Sequence, residues 1–175
     1  TADVCLQHKV LIFILVVLGV HKKGLVDFEM LTKILHVASF KGNIGDNASH
    51  MGFAHLLGQV FGKFEITQVE IRDFYKNRLA GERRYFDSDF VAYANGFDLL
   101  VVGGGGFFDY WVEGSATGTT IDIAPENLER LSVPTLFASI GSHPHKPIPP
   151  GNVEKFSCFI EQISSRENMR ILPRN

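Results

Sequence analysis

The chain has 175 residues, of which 45% are hydrophobic and 21% are charged, and its formal net charge is -2 at pH 7. This composition supplies one sizeable core and excludes an intrinsically disordered segment. Both charge signs are dispersed, so neither a nucleic-acid-binding surface nor an acidic tail is indicated. Cys5 and Cys158 lie far apart without CxxC spacing, which favours a reducing compartment over a disulfide framework or a zinc site.

The N-terminal region contains an unbroken apolar run, VLIFILVVLGV, at residues 10–20. A membrane-spanning helix needs about 20 apolar residues, and no small-residue cleavage pattern follows the run, as it would after a signal peptide. Three interpretations stay open: a signal-peptide core, an extension upstream of a natural start at Met30, or a buried element of the fold. We therefore separate residues 1–29, an apolar extension of undetermined status, from residues 30–175, the predicted domain.

From Lys33 onward, strand and helix patterns alternate regularly. The apolar segment 33–39 predicts a buried strand, 46–62 a helix with apolar residues at helical spacing, and 64–71 an alternating strand. After a polar stretch, the pattern predicts a helix near 87–95, a strand that runs into four glycines at 97–106, a helix at 124–131, a strand at 134–141 and a helix at 151–165. This alternation predicts an α/β fold: a Rossmann-like, doubly wound, mainly parallel sheet with helices on both faces.

Two glycine-rich loops follow predicted strands: KGNIGDNASHM at residues 41–51 and GGGG at residues 103–106. Ligands of such sheets collect at the carboxyl ends of the strands, where glycines let backbone N–H groups approach an anion. Two simpler interpretations remain open: Asp46 or Asn47 caps the following helix, and the glycines only make a tight turn. The aromatic residues directly after the second loop either line a cleft or pack beneath it: Phe107, Phe108, Tyr110 and Trp111.

Several signatures of other function classes are missing from the sequence. It contains no GxxxxGK[ST] of P-loop NTPases, no GxGxxG in the first strand-to-helix turn, no GxSxG and no HExxH. His50 and His55 are five residues apart, which places them on different sides of a helix and argues against joint metal ligation. We therefore expect no metal site and no cofactor, and we expect the histidines of HPHKP at residues 143–147 to lie in solvent.

Four segments taken in order resemble the landmarks of the polysaccharide pyruvyl transferase family: ILHVASFKGNIGDNASHMGF, FDLLVVGGGGFFD, PTLFASIG and ENMRILPRN. The first carries an N-x-G-D loop, the second a strand that ends in a glycine run, the third a strand with a small-residue end, and the fourth a strand that leads into Arg-Asn. The likeness covers about residues 33–175. It implies the first of two Rossmann-like domains of a GT-B-like enzyme, and a chain that is truncated at its C-terminus.

The resemblance implies a transferase that moves the pyruvyl group of phosphoenolpyruvate to a sugar of a cell-surface glycan, giving a pyruvate ketal. The implied partners are phosphoenolpyruvate as donor substrate and a glycan or lipid-linked sugar as acceptor, with no nucleic acid. The implied location is cytoplasmic, with peripheral association at the inner face of the membrane left open. In the family, basic and histidine residues for the donor lie largely in the second domain, so this half is expected to shape the acceptor side.

Carried over to matching positions, the family pattern makes Asp46 the candidate catalytic base, because a loop carboxylate at a strand end can take a proton from a sugar hydroxyl. The candidate substrate-binding residues are Asn43, Gly45, Asn47, Gly103, Gly104, Gly105, Gly106, Asp109 and Arg174. A cluster of arginines either attracts an anion or forms a solvated face: Arg72, Arg83 and Arg84.

Two alternatives from other classes remain. The first is a GT-B-type glycosyltransferase that uses a nucleotide-sugar, because the half-fold is shared between the two groups of enzymes. The second is a non-catalytic fragment or interaction domain. Coding sequence beyond Asn175 that continues the strand and helix alternation for about 150 to 200 residues, the size of another domain, would favour an enzyme.

Overall fold

The computed structural model describes residues 31–41, 44–61, 63–76, 81–143 and 146–173. The predictions for residues 1–30, for Gly42 and Asn43, and for Arg174 lie outside these ranges. Within them, every predicted strand and helix is present, and the observed ends differ from the predicted ones by a few residues. The elements are β1 Thr32–Ala38, α1 Ile44–Val60, β2 Phe64–Glu70, a 3-10 helix Ile71–Phe74, α2 Ser88–Ala94, β3 Leu99–Gly103, α3 Pro125–Arg130, β4 Thr135–Ile140, α4 Asn152–Ser164 and β5 Met169–Pro173.

Local sequence explains where the short helices start. The Asp87 carboxylate accepts hydrogen bonds from the N–H groups of Asp89 and Phe90, so Asp87 is the N-cap of α2. Pro125 occupies the first turn of α3, as predicted, because a proline there gives up a donor that has no helical partner. Both helices are short, so they depend on packing onto the sheet, with a side-chain cap in α2 and the N-terminal proline in α3 as local support.

The five described strands form one sheet with the order β2-β1-β3-β4-β5, and all paired neighbours run parallel. The fold prediction is therefore confirmed: the domain has an α/β, Rossmann-like architecture. Parallel neighbours require crossover connections, and the helices between the strands supply them. The sequence did not give the order of the strands, which depends on where each crossover packs.

Successive residues of each strand point to opposite faces of the sheet, and their apolar side chains belong to two separate hydrophobic clusters, one on each face. On the first face, helix α1 packs its Leu57 against Ile34, Val101 and Leu136. On the second face, α2, α3 and α4 contribute buried residues beside Leu35, Val37, Leu100, Val102 and Phe137. Helices thus cover both faces, as the sequence predicted.

The carboxyl ends of β3 and β4 lie unusually close together. A side chain at Gly103 would place its Cβ 1.8 Å from the carbonyl oxygen of Ala138, so the strand contact requires glycine there. One residue further along β4, Ser139 has a φ of 49°, and the pairing of β4 with β5 shifts register between Ala138 and Ile140. The loop after β4 lies against the residues that follow β3, since Gly141 N–H donates to the Gly105 carbonyl at 2.9 Å.

A compact loop between β3 and α3 is built around buried hydroxyl groups. Ser115, Thr117 and Thr119 are all buried, and the hydroxyl of Thr117 lies 2.9 Å from that of Thr119. From α4, the buried Asn152 amide donates to the carbonyl oxygens of Tyr110 and Val112 at 3.0 and 3.1 Å. Because each of these polar groups has a partner, the loop can be buried and can support the residues that follow the glycine run.

Candidate functional site

The strand order creates a crevice between β1 and β3. The chain leaves β1 toward β2 on one side, whereas it leaves β3 toward β4 on the other side. The connections after the two strands therefore run in opposite directions, and the starts of the two loops border a crevice between them at the carboxyl edge of the sheet. Doubly wound folds bind ligands in this crevice. The two loops concerned are the N-x-G-D loop after β1 and the glycine run after β3. The structure thus brings together the two glycine-rich segments that the sequence singled out.

Helix α1 begins at Ile44, two residues before its predicted start. Gly45, Asp46 and Asn47 therefore lie in its first turn, whereas the predicted helix began at Asp46 and left Gly45 outside. This position puts the Asp46 backbone at the carboxyl edge of the sheet, and an acidic residue in a first turn interacts favourably with the helix dipole. Their side chains lie outside the described part of the structure, as does Asn43, so the roles assigned to these residues stay predictions.

Two histidines that the sequence analysis did not select occupy the crevice side of β1 and α1. The rings of His36, on β1, and His50, on α1, meet edge to face with centroids 5.1 Å apart. Phe40 packs against both rings, and Phe53 packs against His36. His36 is 4% exposed, whereas His50 is partly exposed. The weak signal in the sequence was a histidine in the middle of an apolar strand, at a position that faces α1.

His50 is oriented by a hydrogen bond to the end of β1. Its Nε2 lies 3.0 Å from the carbonyl oxygen of Ser39, and because a carbonyl only accepts, Nε2 carries the proton. The other ring nitrogen, Nδ1, makes no hydrogen bond within the described residues. The ring edge also packs on the glycine run, since a Cβ at Gly104 would lie 3.0 Å from His50 Cε1 and 3.6 Å from Nδ1. Gly104 has a φ of +87°, which a glycine adopts without strain.

Burial, together with a smaller contribution from the neighbouring His50, lowers the pKa of His36 from 6.5 to about 3. His36 is therefore neutral in the folded protein near neutral pH. In the unfolded chain it takes up a proton near pH 6.5. The unfolded state binds this proton at a higher pH than the folded state does. The contribution of His36 to the free energy of unfolding is therefore fully present above pH 6.5 and is lost as the pH falls toward 3.

We expect acid to destabilise the protein partly through His36. Between pH 7 and pH 5 this group alone should reduce the free energy of unfolding by about 2 kcal/mol, because the unfolded state is protonated over that range and the folded state is not. The His36→Leu variant should lose less stability than the wild type over the same interval in chemical denaturation. His55→Leu on the exposed side of α1 is the control and should keep the wild-type dependence. Equal pH dependence in wild type and His36→Leu would show that His36 is protonated in the folded state.

The glycine run is hydrogen-bonded to β4 and to the loop that follows β4. Gly104 N–H donates to the Ala138 carbonyl at 3.0 Å, and Gly141 N–H donates to the Gly105 carbonyl at 2.9 Å. In a trans peptide the carbonyl and the next N–H point in opposite directions. The N–H of Gly106 therefore points away from Gly141. Within the described residues, the N–H groups of Gly105 and Gly106 donate no hydrogen bond, and Gly106 is exposed.

Asp109 lies beneath the glycine run. It is 6% exposed, its backbone N–H donates to the Gly106 carbonyl at 3.2 Å, and its carboxylate accepts the N–H of His143 at 2.5 Å. These bonds connect the loop after β3 with the loop after β4. His143 itself is exposed, as predicted for that segment. The geometry thus gives Asp109 a supporting position, and its assignment to substrate binding stays a prediction.

The aromatic residues after the glycine run divide into two groups. Phe107 and Phe108 are 4% and 5% exposed and belong to the core, so they pack beneath the loop. Tyr110 is partly buried and stacks on Phe156 with ring centroids 5.3 Å apart. Trp111 is also partly buried, and the Lys146 ammonium lies 4.1 Å from its ring centroid. The alternative of packing beneath the loop is therefore correct for the two phenylalanines.

Basic groups flank the start of the N-x-G-D loop. Arg72 donates from its guanidinium to the Lys41 carbonyl at 2.9 Å, which holds its charge at the carboxyl edge of the sheet. The Glu70 carboxylate accepts the N–H groups of Phe40 and Lys41 at 3.0 and 2.8 Å. Arg83 lies elsewhere and pairs with Asp122 at 3.5 Å, while Arg84 is exposed. Of the three arginines that the sequence analysis considered, Arg72 is the one that borders the predicted loop.

No group of three or more potential metal ligands occurs in the part of the chain that the structure describes. His50 and His55 lie on different sides of α1, one partly buried and the other exposed, as predicted. No helix among the described residues is long and apolar enough to cross a membrane. Neither the family models, nor the curated proteins, nor the solved structures with which the chain was compared gave a match. The functional argument therefore depends on the residues and geometry of the crevice.

Proposed function

We propose that this domain forms one wall of the active site of a pyruvyl transferase, which moves the pyruvyl group of phosphoenolpyruvate to two hydroxyls of a sugar. The observation that carries the proposal is that the start of α1, which includes Gly45 and Asp46 of the N-x-G-D motif, and the glycine run lie at the same edge of the sheet, where His50 of α1 packs against Gly104. Both are landmarks of the pyruvyl transferase pattern, and their chain order did not require them to meet. Within the described residues the N–H groups of Gly105 and Gly106 have no acceptor, and together with the basic groups at the loop they favour a substrate with negative charge.

The chemistry needs proton transfer on both substrates. The methylene carbon of phosphoenolpyruvate gains a proton, and C2 becomes open to attack by a sugar hydroxyl oxygen. The bond between C2 and the phosphate oxygen then breaks, and a second hydroxyl oxygen takes its place. Of the two hydroxyl protons released, one balances the proton on carbon and the other leaves with phosphate. Asp46, in the first turn of α1, is the proposed base for a hydroxyl. The opposite wall of the cleft and the donor clamp belong to a second domain in this proposal.

The function is tested with the protein translated from the complete reading frame. Phosphoenolpyruvate is supplied together with a panel of glycans and lipid-linked sugars, and release of inorganic phosphate is measured. We expect release that requires both phosphoenolpyruvate and an acceptor. A parallel panel of nucleotide-sugars tests the glycosyltransferase alternative. Turnover of a nucleotide-sugar with phosphoenolpyruvate left intact would overturn the proposal.

A further inference from the structure

The first face of the sheet has less helical cover than the second face. Within the described residues, α2, α3 and α4 contribute buried side chains to the second-face cluster, whereas α1 is the one helix that contributes to the first-face cluster. A helix is about 10 Å wide and neighbouring strands lie about 4.8 Å apart, so one helix covers about two strands. The first face of a five-stranded sheet therefore needs a second covering element.

Apolar side chains of the first face extend to strands that lie far from the α1 connection. Helix α1 links β1 to β2, whereas β4 and β5 lie at the other end of the strand order. On β4, Leu136 is 0% exposed, and on β5, Leu172 packs against the same first-face cluster. The apolar surface of these two strands needs cover beyond the width of α1, because its burial is what stabilises this side of the domain.

The sequence outside the described residues contains a segment that matches this surface in polarity and size. The run VLIFILVVLGV at residues 10–20 carries no polar side chain. Burying one such valine, leucine or isoleucine stabilises a protein by about 1.5 to 3 kcal/mol, so the run needs an apolar surface of its own. Whether helical or extended, eleven residues are at least about 16 Å long, close to the length of about 20 Å of the six-residue strand β4.

The connection between the run and the sheet is long enough for this contact. The described chain begins at Leu31, directly before β1, and ten residues, 21–30, separate it from the run. Ten residues span up to about 33 Å, whereas β4 and β5 lie two and three strands from β1, about 10 and 14 Å away. A tether of this length gives the run an effective concentration on the order of millimolar, which favours it over a separate molecule.

We infer that the apolar run at residues 10–20 docks on the first face of the sheet, over β4 and β5 and beside α1. The run then belongs to the core of this domain, which selects one of the three interpretations that the sequence left open. The inference does not depend on pyruvyl transfer, because it follows from the uneven cover of the two faces and from the polarity and reach of the run.

The first test is a nuclear magnetic resonance experiment on the 175-residue chain with labelled methyl groups. We expect nuclear Overhauser effects between methyl groups of the run and those of Leu136 or Leu172. Contacts of the run to the β2 side of the sheet, or no contacts to the sheet at all, would overturn the inference. A sample that mixes two differently labelled copies is the control, and contacts seen only between copies would assign this face to a second copy and also overturn it.

The second test compares Val16→Asp, inside the run, with Gln7→Asp, which adds the same charge outside the run. A carboxylate cannot be buried against an apolar face without a partner, so Val16→Asp should shift the unfolding midpoint to a lower denaturant concentration. It should also accelerate amide hydrogen exchange in β4 and β5. Gln7→Asp should keep the wild-type midpoint. An unchanged midpoint in Val16→Asp would place the run outside the core and contradict the inference.

Discussion

Replacement of Gly103 with alanine is expected to disrupt the sheet at the β3–β4 contact. The added Cβ would lie 1.8 Å from the Ala138 carbonyl oxygen and 2.7 Å from the carbonyl carbon. Both atoms belong to the backbone of Ala138, which is paired with Gly103. The clash with the new Cβ can be removed only if the two strands separate and this pairing breaks. We expect a loss of at least about 3 kcal/mol in the free energy of unfolding, at the upper end of overpacking effects. Chemical denaturation measures it.

The matched control is Gly52→Ala in α1. A Cβ at Gly52 meets no atom within 4 Å, and alanine is the better helix former, so this variant should gain about 0.5 to 1 kcal/mol. If Gly103→Ala unfolds at the same denaturant concentration as the wild type, then the close approach of the two strands is wrong. In that case the first glycine of the run would need another explanation, such as direct contact with a ligand.

The Asp46→Asn variant should leave the fold intact and reduce ketal formation. Asparagine keeps the size of the side chain but cannot accept a proton, and loss of a general base lowers turnover by about 100-fold or more. Stability should fall by no more than about 1 kcal/mol, because only the favourable interaction with the helix dipole is lost. Turnover is measured as acceptor-dependent phosphate release, and stability by denaturation.

Asp89→Asn is the matched control, since Asp89 also lies in the first turn of a helix, α2, and is exposed. Its turnover should equal that of the wild type. The catalytic assignment would be wrong if Asp46→Asn kept normal turnover while Asp46→Ala lowered the unfolding temperature. Asp46 would then only stabilise the start of α1.

The elements of this fold were predictable because each has a strong local signal. The apolar run before Ser39, the proline of α3 and the alternation of β2 each identify an element from a few neighbouring residues. The end of β3 was less predictable, because the pattern showed only a strand that runs into four glycines, and the structure ends this strand at the first of them, Gly103. That end depends on the Ala138 backbone, which is 35 positions away in the printed sequence.

The sequence indicated which loops border the crevice, but it did not indicate which side chains lie there. Glycine-rich segments after strands indicated the crevice, since their chemistry is local. His50 was considered only as a metal ligand, and its role depends on Ser39 and Gly104, which the fold brings to it from two strands. Asp109 was predicted to bind substrate because it follows the glycine run, but its contact with His143 arises from the loop after β4. Non-local contacts of this kind are set by strand order, which the sequence pattern left open.

The product of the reaction tests the proposed function most directly. Phosphoenolpyruvate labelled with carbon-13 at C2 is incubated with the protein from the complete reading frame and its acceptor, and the product is followed by carbon-13 nuclear magnetic resonance. We predict that the labelled carbon changes from an enol carbon to a ketal carbon bonded to two sugar oxygens, with one phosphate released per ketal. Label that remains in phosphoenolpyruvate, or that appears only as free pyruvate with every acceptor, would contradict pyruvyl transfer.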